Sequence, residues 1–86
     1  MTGEEVFGKI IQAERKAKKI SQDKLAKLTG LDRTSISLIE TGKRSLTFST
    51  LLKISNALDV PPSYLLLKFE SIYPEIKKLK GGKNAD

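Results

Sequence analysis

The chain has 86 residues, no cysteine, no histidine and no tryptophan, with 16 Lys+Arg against 10 Asp+Glu for a net charge of +6. That length supports one domain with a single small core. The composition excludes disulfides, Cys/His metal sites, thiol nucleophiles and histidine general bases, so no metal or other cofactor is expected. The longest clear apolar run is Leu65-Leu66-Leu67, far short of the roughly 20 residues that span a bilayer. The acidic start Met1-Thr2-Gly3-Glu4-Glu5 does not resemble a secretory signal. A cytoplasmic site with no membrane partner is expected.

Charge is uneven along the chain. Residues 10–45 carry nine basic and four acidic side chains, whereas residues 46–72 carry two of each. Such a block is either an electrostatic footprint for a polyanion or a solvated, lysine-rich helical surface.

In chain order, the first expected helix runs from Gly3 to Lys19. Val6, Phe7, Ile10, Ile11, Ala13 and Ala17 give it an apolar stripe of 3.6-residue period. Glu14 falls on that stripe, either bonded to a neighbour such as Lys18 or placed at the edge. Four further starts share one signature, an apolar residue before the cap and another five positions later: Ile20/Leu25, Leu31/Ile36, Leu46/Leu51 and Val60/Leu65. This is the hydrophobic staple. Ser21, Asp32 and Thr47 supply cap oxygens, and Pro62 suits a first helical position. Gly30 and Gly42 fit left-handed helix stops, with Asp59 a poorer equivalent. Helices are therefore expected over 22–29, 33–41, 48–58 and 62–70, with Leu25, Leu28, Ile36, Ile39, Leu51, Leu52 and Leu58 as core. A last short helix is expected from Pro74 to Lys80, then a frayed 81–86. No window alternates with period two, so the fold class is all-α. The domain division is 1–70 for the main domain and 71–86 for a C-terminal extension.

The second and third helices are short and joined by Gly30-Leu31-Asp32, the spacing of a helix-turn-helix, whose second helix can enter a DNA major groove. The run Arg15-x4-Ile20-Ser21-Gln22-Asp23-Lys24-Leu25-Ala26-x3-Gly30-Leu31-Asp32-Arg33-Thr34-Ser35-Ile36-Ser37-x-Ile39-Glu40-Thr41-Gly42-Lys43-Arg44, followed by Leu51-Leu52 and Ala57-Leu58-x-Val60, resembles the phage repressor/Cro-type, or XRE, family over residues 10–67. The small size and the Leu-Asp-Arg-Thr-x-Ile-Ser segment also resemble controller proteins of restriction–modification systems. The resemblance implies a five-helix DNA-binding regulator, generally dimeric, bound to double-stranded operator DNA in the nucleoid.

Arg33 and Thr34 open the presumed recognition helix, where N-terminal residues reach base edges. Arg33 can pair bidentately with guanine, and Thr34 can offer its methyl to thymine or touch a phosphate. Ser37, one turn on, either bonds a base or phosphate or is simply small enough to let DNA approach. Leu38 either meets a thymine methyl or packs on the core or a partner. The resemblance implies that Gln22 bonds a backbone phosphate and braces the recognition helix. It also implies that Lys43, Arg44 and Ser45 form a phosphate-contacting loop, and that Arg15 and Glu40 pair between the first and third helices. Tyr64, Leu65, Leu66, Leu67 and Phe69 are apolar around more of the fifth helix than one core covers, and Tyr73 beyond it extends the same face. They form a homodimer interface, unless the C-terminal extension covers that face within the monomer. The alternative function is an antitoxin or other protein–protein adaptor. No catalytic constellation, phosphate loop or small-molecule site is legible, so the chain is not expected to be an enzyme.

Overall fold

The structure, a computed structural model, describes residues 1–73. It consists of α1 (Gly3–Ala17), α2 (Gln22–Thr29), α3 (Arg33–Glu40), α4 (Phe48–Ala57) and α5 (Pro62–Ile72). These five helices, with no strand among the described residues, give the all-α architecture expected. The expected helix over 74–80 and the tail beyond it lie outside the described residues.

The cap chemistry sets the starts. Ser21 Oγ, Asp32 Oδ1 and Thr47 Oγ1 accept the amides of Lys24, Ser35 and Thr50 at 3.0, 2.7 and 3.1 Å. Each satisfies one of the amide donors that the first helical turn leaves free. At α1, Thr2 and Glu5 bond reciprocally as a capping box, which the sequence reading did not identify. The residues before the other four caps, Ile20, Leu31, Leu46 and Val60, are partly buried and pack against the core. Gly30 and Gly42 both have φ of 76°, and Asp59 adopts the same region at 59°.

Some ends differ from expectation. Helix α1 stops at Ala17 because Lys19 turns left-handed at φ 60°, with its amide bonded to the Lys16 carbonyl. Helix α5 runs on to Ile72 and stops where Tyr73, extended ahead of Pro74, leaves the helical region.

One core cluster joins Ile11, Leu25, Ala26, Ile36, Ile39, Ile54 and Leu58. A second joins Val6, Ile10, Leu51 and Leu65, and Phe7 and Val60 pack against both. Leu28 and Leu52 are not core: they are 50% and 41% exposed, because each lies off the row of its helix that faces inward. Ala13 and Ala17 are exposed too. The stripe of α1 instead continues from Ile10 and Ile11 into Glu14 and Arg15, both buried. Gly8 lies where α1 crosses the end of α3. A Cβ there would be driven into the carbonyl groups of Ile39 and Glu40, so this crossing requires glycine.

Candidate nucleic-acid interface

The buried frame of the site begins with Arg15. Its Nε donates to Glu40 Oε2 at 2.7 Å and its Nη2 to Oε1 at 3.1 Å, while Nη1 donates to the Ile20 carbonyl at 2.8 Å. The two side chains are only 9% and 0% exposed. Removed from water, they need this bidentate geometry to offset their desolvation. Gln12 Nε2 and Gln22 Nε2 also donate to Glu40 Oε1, at 3.4 and 3.0 Å. Glu40 thus ties α1, the first residue of α2 and the end of α3 into one network. No buried side-chain nitrogen or oxygen among the described residues lacks a partner.

Gln22 carries that network to the surface. Its Oε1 accepts from Arg33 Nε at 3.4 Å. Arg33 Nε also lies 3.7 Å from Asp23 Oδ1. Gln22, Arg33, Thr34, Ser37 and Leu38 line one shallow, open concavity. Arg33 and Thr34 are exposed, and Ser37 and Leu38 are half-buried beside them. Four of these follow from the 3.6-residue repeat, which puts 33, 34, 37 and 38 on one face of α3. The tight turn at Gly30 and the Asp32 cap present that face beside the start of α2. The Ser35 amide bonded to Asp32 holds the Asp32 carboxyl below its ordinary value of 3.8.

The loop after α3 does not line this concavity. Gly42 closes it, and the Lys43 and Arg44 amides bond the Leu38 carbonyl at 2.9 and 3.3 Å. Lys43 is exposed. Arg44 folds back along α3, donating through Nη1 to Ser35 Oγ at 2.7 Å. Ser45 donates to Glu4 Oε2 at 3.2 Å, which turns its hydroxyl toward α1. Nothing local in the sequence marks Ser35 or Asp23 as a neighbour of these arginines. Their proximity arises only when the two helices meet.

The expected face of α5 divides. Leu65 is fully buried in the monomer, so it belongs to the core and cannot touch a partner. Phe69 packs edge-on against Phe7 at 5.7 Å and stacks with Tyr73 at 5.0 Å. Tyr64 donates to Glu14 Oε2 at 3.2 Å, and Lys68 Nζ lies 3.3 Å from the same oxygen. Glu14 therefore finds its partners on α5 and not at Lys18. Leu66, Leu67 and Ile72 remain 47%, 63% and 56% exposed. Phe48, 73% exposed, shares an open apolar groove with Phe7, Leu51, Leu66 and Phe69.

Among the described residues, no group of three or more metal-ligating side chains is placed to hold an ion. No described helix is long and apolar enough to cross a membrane.

The family model described as helix-turn-helix matches residues 11–65. The HTH-type transcriptional regulator YqaE of Bacillus subtilis strain 168, itself uncharacterized, is 38% identical over 61 residues. The match covers 71% of this chain and 53% of YqaE, so the chain spans about half the length of that relative. The structure of the restriction–modification controller protein C.AhdI from Aeromonas hydrophila is similar with a TM-score of 0.70 and 39% identity, over 71% of this chain and 92% of that one. The P22 c2 repressor, in a crystal structure with a synthetic operator, is similar with a TM-score of 0.64 and 37% identity, over 69% of this chain and 89% of that one.

Proposed function

This chain belongs to the helix-turn-helix family, and from that premise we propose that it is a DNA-binding transcriptional regulator of the repressor and controller type. It binds without catalysing a reaction. Residues 1–70 form the DNA-binding domain, with 71–86 as its extension, and the protein works on nucleoid DNA in the cytoplasm. The observation that carries this reading is the convergence of Gln22, Arg33, Thr34, Ser37 and Leu38 on one exposed concavity at the leading end of α3. The Arg15–Glu40 network anchors it from beneath.

In this reading α3 enters the major groove. Arg33 reads a guanine edge, Thr34 and Ser37 make shorter contacts to bases or phosphate, and Gln22, Lys43, Arg44 and Ser45 meet the backbone. Backbone contacts set register and affinity, whereas base contacts set selectivity. Two copies pair through the exposed apolar side chains of α5, with Tyr64, Leu66, Phe69 and Tyr73 at or beside the seam. Their recognition helices then stand about 34 Å apart, one turn of DNA, over an inverted repeat. The repressor–operator complex of the similar P22 protein supports DNA as the partner.

Selection of bound duplexes from a random pool by the purified chain tests the reading. A short inverted repeat should emerge. Enrichment of no sequence would overturn the reading and favour a protein partner instead.

A further inference from the structure

Asp23 stands in the first turn of α2 beside Gln22 and is the acidic residue nearest the Arg33 guanidinium. Resting on the function proposed above, we infer that Asp23 is a positioning residue for base recognition: with Gln22 it holds Arg33 by its Nε and leaves the Nη end free for a guanine. The distances are 3.7 Å from Arg33 Nε to Asp23 Oδ1 and 3.4 Å to Gln22 Oε1. An arginine has one N–H on Nε and four on its two Nη atoms. With Nε turned to the protein, the Nη fork keeps the paired donors that match guanine O6 and N7.

The contact is not there to stabilise the fold. Its side chains are 65% and 69% exposed, and ion pairs so solvated contribute little. What it does is restrict a long, flexible side chain before DNA arrives, so less rotamer freedom is lost on binding. A carboxylate 3.7 Å from Arg33 also repels the phosphates of every duplex that Arg33 approaches. Asp23 therefore lowers affinity generally while favouring the one arrangement in which Arg33 meets its base. Selectivity is a difference between affinities: the uniform repulsion cancels from it, and only the holding of Arg33 widens it. Gln22 alone would not do the same, because it is neutral and also bonds Glu40.

The test repeats the random-duplex selection with Asp23→Asn, Arg33→Ala and the double variant, alongside thermal melting. Arg33→Ala should flatten preference at one base pair of each half-site. Asp23→Asn should melt like the parent and lower discrimination at that same base pair by about two- to fivefold, the range a solvated ion pair can supply. Its general affinity for duplex DNA should rise. The double variant should discriminate no worse than Arg33→Ala. The inference is overturned if Asp23→Asn strengthens binding to all duplexes with discrimination intact, or if its loss of discrimination multiplies with that of Arg33→Ala. If the parent enriches no sequence, the proposed function itself fails. If it enriches one that Arg33→Ala leaves unchanged, the regulator reading stands and the role of Asp23 falls.

Discussion

Arg15 and Glu40 meet at 2.7 Å inside the protein, and through Gln22 their pair reaches the exposed Arg33. The ion pair both joins α1 to α3 and fixes the base of the surface proposed to meet DNA. Removing one member leaves the other charged, buried and short of partners. Arg15→Met should therefore cost about 3–5 kcal/mol in urea unfolding. Replacing both, Arg15→Met with Glu40→Leu, should recover most of that loss. A cost below about 1 kcal/mol for the single change would mean that Gln12, Gln22 and water suffice for Glu40.

Gly8 and Gly3 lie in the same helix and should respond oppositely to alanine. At Gly3 a Cβ meets Phe69 at an ordinary 3.6 Å, and the better helix former should raise the melting temperature slightly. At Gly8 the Cβ collides with the backbone of α3, and overpacking should cost about 1–3 kcal/mol or more. Melting of the two variants side by side checks this; equal shifts would contradict the close crossing of α1 and α3.

The Asp32 cap predicts a pH dependence. Its carboxyl is depressed by the Ser35 amide, so its contribution is fully present above the ordinary value of 3.8 and fades as pH falls through the lower folded value. Asn caps a helix as well and does not titrate. The parent should therefore match Asp32→Asn near neutrality and fall behind it below about pH 4 in chemical unfolding. A constant difference from pH 7 to pH 3 would contradict the cap.

On α5, Leu65 and Leu66 are neighbours with different expected roles. Leu65→Ala should cost about 2–5 kcal/mol through a core cavity, as for other fully buried leucines. Leu66→Asp with Leu67→Asp should keep the helical circular-dichroism spectrum, shift sedimentation from dimer to monomer, and remove the concentration dependence of the melting temperature that a dimer shows. If the double variant sediments like the parent, the seam lies elsewhere on the molecule.

Local chemistry was legible because it acts over a few residues. The Ser21, Asp32 and Thr47 caps, the left-handed Gly30 and Gly42, and the shared face of 33, 34, 37 and 38 all follow from backbone geometry and one period. What escaped depends on contacts between helices. Glu14 looked anomalous on an apolar stripe until α5 brought Tyr64 and Lys68 to it. Gly8 carried no sign that α3 would pass so close. Leu28 and Leu52 fit the apolar composition but not the inward row. The Asp23–Arg33 and Ser35–Arg44 contacts span 10 and 9 positions, beyond the reach of any helical repeat.

In the proposed complex Arg33 reads a base while Lys43 only positions the duplex. Titration of Arg33→Ala and Lys43→Ala against the selected site and its single-base variants, at several salt concentrations, tests it directly. Arg33→Ala should lose about tenfold or more of the preference at one base pair. Lys43→Ala should weaken every duplex by the same factor and reduce the slope of log affinity against log salt by about one. An equal loss across all duplexes for Arg33→Ala would contradict the account.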